Sequence, residues 1–173
     1  PLAAELAKVS LWLETMDPGK PLAYLDAQIK VGNSLIGATP RLLAEGIPDD
    51  AFQPIEGDEK AVVTTLRKRN AQERGGAQSL FDDEAVVVSN QGLANGMREV
   101  TTGRPHSLAD VQVRRKRLDD LYASKDYRQQ RLAADAWCAA FVWHKKGSAP
   151  AAITHNTLLR LQCSEPVAQP TAD

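Results

Sequence analysis

Cysteine is scarce. Cys138 and Cys163 are the only two, and neither has the repeated short spacing of a zinc site. A disulfide framework is excluded with it, and the pair reads as reduced, structural thiols of a cytosolic protein. Aromatic residues make up only 5% of the chain. Trp12, Trp137 and Trp143 each lie in a strongly apolar helical run, which favours packing over base stacking. No apolar run approaches the roughly 20 residues of a membrane span and no signal peptide is evident, so the expected location is the cytoplasm, without a membrane partner. Neither charge dominates: 21 Lys and Arg against 22 Asp and Glu give a net charge of −1. That excludes a global attraction to nucleic acid, and any DNA contact must be local. His106, His144 and His155 show no paired ligand spacing, and no Ser, Cys or Lys has a recognisable activating partner. No metal ligand and no catalytic residue is assigned.

What is present is helical periodicity. Leu2, Leu6, Val9 and Leu13 follow helical spacing, and Ala3, Ala7, Leu11 and Trp12 widen that stripe almost around the helix, which then needs cover on more than one side. Asp17-Pro18-Gly19 has the chemistry of a tight turn. Ile29 and Val31 alternate with Gln28 and Lys30 before Gly32-Asn33, which predicts a short strand ending in a sharp turn. Thr39 is a cap for a short helix with Pro40 at its first position and Gly46 at its end. Pro48, Pro54 and Gly57 punctuate an irregular connector.

Asp58 is the expected N-cap of a helix over Glu59 to Arg74, with Gly75-Gly76 as its stop. From Asp82 to Val100 a helix competes with a strand at Val86 to Val88. Ser107 and Asp110 predict a capping box, opening a helix with Leu108, Val111, Arg115, Leu118 and Leu121 on one face. Ser124 opens the longest helical signal, reaching His144, with Tyr127, Arg131, Ala134, Cys138, Phe141 and Val142 on a broad face. Thr154 caps a last helix through Gln162, and the polar tail after it has the composition of a disordered end.

Three stretches carry a family resemblance: Leu2-Ala3-Ala4-Glu5-Leu6-Ala7-Lys8-Val9-Ser10-Leu11-Trp12-Leu13-Glu14, then Pro18-Gly19-Lys20-Pro21-Leu22, then Val31-Gly32-Asn33-Ser34-Leu35-Ile36-Gly37. Together they resemble the middle of the large bacterial adenine-N6 DNA methyltransferases of type II restriction–modification and related phage-defence systems. Later in the chain the match rests mainly on Ala133-Ala134-Asp135-Ala136-Trp137-Cys138-Ala139-Ala140-Phe141. The Gly-rich methionine-pocket motif and the Asn-Pro-Pro-aromatic motif of that family are both missing, so the resemblance implies an internal fragment. The fold it implies is mainly α: residues 1–38 supply one helix and one strand of a Rossmann-like methyltransferase domain, 39–163 form a helical insertion, and 164–173 are a disordered tail.

The same resemblance implies a cofactor, S-adenosylmethionine, held in the intact parent over the carboxyl ends of the parallel strands. Asn33 matches the acceptor for the adenine amino group, with an amide in place of a carboxylate, and Pro1 matches the proline that follows the ribose-binding acid. Read without the family, Asn33 is a turn residue tolerating left-handed backbone. The isolated chain is expected to be inactive and to bind no cofactor; its partners would be the rest of the enzyme and DNA, with self-association of the isolated piece. Two basic clusters, Arg67-Lys68-Arg69 with Arg74 and Arg114-Arg115-Lys116-Arg117, are candidates for DNA phosphates. The competing reading of both is a solvated helix surface. The alternative for the whole chain is a free-standing helical module that binds protein or DNA without catalysis.

Overall fold

The computed structural model describes residues 2–14, 25–33, 35–80, 90–103 and 105–163, with residues 77–80 described by their backbone only. It is mainly helical, and among the described residues there is no strand. Among the described residues seven α-helices follow in order: α1 Leu2–Glu14, α2 Pro40–Glu45, α3 Lys60–Leu80, α4 Gln91–Thr101, α5 Leu108–Ala123, α6 Lys125–Val142 and α7 His155–Gln162. A short 3-10 helix, Asp49–Phe52, lies between α2 and α3. The chain forms two compact units, one of Pro1–Ser34 with Asn90–Arg128 and one of Leu35–Ser89 with Gln129–Asp173.

The first unit is organised around a helical hairpin. Ser107 Oγ accepts from Asp110 N–H at 3.1 Å while the Asp110 carboxylate accepts from Ser107 N–H at 3.0 Å, so the expected capping box opens α5. Gly96 of α4 lies under Leu121 of α5, where a Cβ would come to 3.0 Å from the leucine methyl. Val100, Pro105 and Leu118 are the buried residues described in this unit. α1 contributes no buried residue at all. Its Lys8 reaches Asp26 Oδ1 at 2.7 Å.

The strand expected at 29–31 is absent. Gln28 and Ile29 N–H both donate to Leu25 O, closing a turn over 26–28, and the backbone runs on irregularly to Asn33. Alternation of side chains favours a strand only where a neighbouring strand completes the hydrogen-bond ladder, and no described residue supplies one. The turn at Asp17-Pro18-Gly19, Pro1, the region 81–89 with its helix-or-strand ambiguity, and the tail 164–173 lie outside the described residues.

The second unit has a continuous apolar core of Leu43, Ile47, Ala51, Phe52, Ala133, Ala136, Ala140, Ile153, Leu158 and Leu161. The stretch expected as a plain connector contributes Phe52 through its 3-10 turn. On α6 the buried seam is Ala133, Ala136 and Ala140. It is rotated from the expected face, and Val142 is 70% exposed. Alanines at i, i+3 and i+7 lie on one side of the helix, so small side chains are its fully buried ones, while Trp137 and Phe141 pack on the core from its flanks.

Thr39 caps α2 as expected, its Oγ1 accepting from Leu42 N–H at 3.3 Å, with Pro40 at the first position. Gly46 ends that helix at φ 81° and ψ −165°, a conformation closed to residues with a Cβ. α3 differs from expectation at both ends. It starts at Lys60, with Glu59 O accepting from Val63 N–H. Asp58 is occupied elsewhere, accepting from Ile55 N–H at 3.1 Å and Lys145 N–H at 2.7 Å. The helix then runs through Gly75 and Gly76 to Leu80. Glycine lowers helix propensity, but it stops a helix only where it turns left-handed, and neither of these has positive φ.

Candidate functional site

Asn33 sits on irregular, exposed backbone between exposed Val31 and Leu35, the latter 93% exposed. Among the described residues, nothing lies within 4 Å of where a Cβ would stand at the adjacent Gly32. Pro1, its expected companion at the cofactor, lies outside the described residues.

The first basic cluster separates by role along α3. Arg67, Lys68 and Arg69 are all exposed. Arg69 Nε donates to Glu73 Oε1 at 2.7 Å, four residues on. Arg74 turns inward and is half-buried, its Nη2 donating to Asp49 Oδ1 at 2.7 Å. Arg67 and Lys68 remain on the outer face.

The second cluster, on α5, also divides. Arg114 is bound to backbone: Nη1 donates to Gly103 O at 2.9 Å and Val100 O at 3.3 Å, and Nη2 to Thr102 O at 2.9 Å. It closes the C-terminal carbonyls of α4, where a cation also meets the negative end of the helix dipole. Arg115, Lys116 and Arg117 are exposed. At 100° per residue they splay around α5, with Asp119 and Asp120 beside them.

A buried polar group escaped sequence reasoning. Asn70, fully buried on α3, donates from Nδ2 to Ile47 O at 2.9 Å and accepts on Oδ1 from His155 N–H at 2.9 Å. His155 itself is buried, and its Nδ1 has no hydrogen-bond partner among the described residues. The imidazole lies against Gly46, where a Cβ would come within 2.3 Å of Nδ1. Burial pushes the His155 imidazole below the usual histidine range; Glu73 opposes this and Arg74 adds to it. Burial works to raise Glu73, but the Asn156 N–H, the Thr154 hydroxyl and Arg69 together hold it below the usual carboxylate range. These groups join the α2 end, α3 and the α7 start as a brace. The linear signal was the Thr154 cap alone, since Asn70 and Glu73 lie more than 80 residues away from it.

A buried ion pair fixes the turn after α6. Lys145, 1% exposed, donates from Nζ to Trp143 O at 2.9 Å and stands 3.9 Å from Asp58 Oδ2. The Lys145 N–H bond, with that of Ile55, holds Asp58 below the usual carboxylate range against the effect of burial. Burial lowers Lys145 in turn, with Asp58 opposing. Trp137 Nε1 donates to Gly46 O at 2.9 Å and its ring packs on Phe141 at 4.9 Å, so this tryptophan is committed to packing. Trp143 likewise packs against the core, donating to Pro150 O. Among the described residues no three His, Cys, Asp or Glu side chains come together as a metal site, and no helix is long and apolar enough to cross a membrane. No protein-family model, curated protein or solved structure matches this chain.

Proposed function

We propose that this chain is a piece of an S-adenosylmethionine-dependent adenine-N6 DNA methyltransferase of a restriction–modification or related defence system. Residues 2–38 belong to its Rossmann-like cofactor half, and the helices after them are an insertion. The observation that carries this reading is burial. No described residue from 2 to 38 is buried, although the segment holds Leu2, Leu6, Val9, Leu13, Val31, Leu35 and Ile36, all of them exposed. Among the described residues, the buried ones all lie at 43 or later. Apolar periodicity of this strength exists to be covered, and two of the stretches that carry the family resemblance, 2–14 and the described part of 31–37, hold no buried residue. The remaining strands of a cofactor domain would cover them.

In the whole enzyme S-adenosylmethionine supplies the electrophilic methyl group, and the target adenine is flipped out of the duplex to receive it. This chain contributes Asn33, whose amide oxygen accepts from the cofactor's adenine amino group, and the exposed backbone at Gly32 fits that role. One such hydrogen bond adds only about 0.5–1.5 kcal/mol, below the several kcal/mol that immobilising a ligand costs. Calorimetric titration of the chain alone with S-adenosylmethionine should therefore show no binding, and micromolar binding would overturn the fragment reading. The codons on either side of the segment test the same point: a Gly-rich loop upstream and Asn-Pro-Pro-aromatic downstream support the enzyme. A start and a stop codon bounding the segment would leave the free-standing helical module.

A further inference from the structure

The cations of the second unit fall into two groups. Arg41, Arg69, Arg74, Arg131 and Lys145 each stand within 3.9 Å of a carboxylate. Among the described residues of that unit, Lys60, Arg67, Lys68, Lys146 and Arg160 do not. Three of these lie on α3 at i, i+7 and i+8, all exposed. At 100° per residue they occupy an arc of about 100° and span about 12 Å of helix axis. Lys146 joins them from far away in sequence. Glu59 N–H donates to Lys145 O at 2.9 Å and Gly147 N–H to Glu59 Oε1 at 3.2 Å, which holds the backbone on both sides of exposed Lys146 against Glu59, the residue before α3. The acidic groups at this end are Glu59, whose carboxylate takes the Gly147 amide, and Asp58, which is buried against Lys145.

We propose that the face formed by Lys60, Arg67, Lys68 and Lys146 binds the phosphate backbone of duplex DNA. The inference deepens the methyltransferase reading, and rests on it for the identity of the polyanion. Ion pairing engages Arg41, Arg69, Arg74 and Arg131 but leaves Lys60, Arg67 and Lys68 together on one side of α3. Lys and Arg on such a face supply sequence-independent affinity and set the register of a protein on its duplex. α3 carries no aromatic side chain, whereas single-stranded binding relies on aromatic platforms for unstacked bases. Duplex is accordingly the form this face suits.

The test is fluorescence anisotropy of the full 173-residue chain with a labelled duplex of arbitrary sequence across a salt series. Four phosphate contacts give a slope of log affinity against log salt of about −3.6. The triple variant Lys60→Gln, Arg67→Gln, Lys68→Gln should bring that slope to about −0.9 and weaken low-salt binding by about tenfold or more. The double variant Arg115→Gln, Lys116→Gln on α5 should leave both unchanged. All five positions are exposed, so circular dichroism should report the same helical content throughout. No duplex binding at low salt, a triple variant that binds like the parent, or tighter binding of single-stranded RNA would each overturn the proposal. Failure here is separable from failure of the enzyme reading: salt-dependent duplex binding lost in the triple variant, together with absence of methyl transfer by the longer protein, removes the enzyme and leaves the phosphate face.

Discussion

Arg114 and Arg115 are neighbours in a run of four cations, yet only Arg114 meets three backbone carbonyls. Arg114→Ala leaves the C-terminal carbonyls of α4 without their donor and should destabilise the first unit by about 1–2 kcal/mol. Arg115→Ala, at an exposed position, should change stability by less than about 0.5 kcal/mol. Urea unfolding of the two variants checks the contrast, and equal effects would refute the clamp. Nothing in a run of Arg-Arg-Lys-Arg distinguishes the one that folds back, because the distinction depends on where α4 ends. The same holds for His155, whose partners Asn70 and Glu73 come from another helix. Its folded titration lies below the ordinary value of about 6.5, so the unfolded chain binds more protons as pH falls, and stability rises with pH across that window. Lowering the pH from about 7.5 to about 5.5 should therefore weaken the second unit, and His155→Gln should flatten the dependence. Unfolding followed by tryptophan fluorescence at the two pH values measures it; equal slopes for both proteins would show that His155 is not the group responsible.

Among the elements, the legible ones are those whose signal is local. Thr39, Pro40 and Gly46 bound α2, and Ser107 with Asp110 opens α5, because caps are chemistry within four residues. The strand at 29–31 and the inner face of α6 were not legible, since a ladder and a buried seam are decided by what packs opposite. Gly75 and Gly76 are the sharpest case: as a pair they read as a stop, but α3 continues through them in open surroundings. Gly75→Ala and Gly76→Ala should each stabilise by about 0.5–1 kcal/mol and raise helical content. Gly46→Ala should do the reverse, costing about 2 kcal/mol or more, since it combines a forbidden φ of 81° with a Cβ driven into the His155 ring. Thermal unfolding of the three variants gives the order, and a stabilised Gly46→Ala would contradict the described packing.

For the whole molecule, the division between covered and uncovered surface carries the functional account. The basic clusters were visible as runs of sequence, but ion pairs on α3 and the backbone carbonyls around Arg114 sorted them, and Lys146 meets the start of α3 only through the fold. α1 has no buried residue, with Leu2 at 72% exposure. Left without its partner, such a face should drive the isolated chain to self-associate with rising concentration. Light scattering should show the increase in mass, and Leu6→Lys with Val9→Glu should suppress it; a concentration-independent monomer would count against an uncovered face. The most direct test is transfer of labelled methyl groups from S-adenosylmethionine to duplex DNA by the complete reading frame that contains these residues. The account predicts N6-methyladenine in the product, with Asn33→Ala weakening cofactor affinity while the fold persists. A complete protein that folds, yet transfers no methyl group to adenine in any duplex offered, would contradict it.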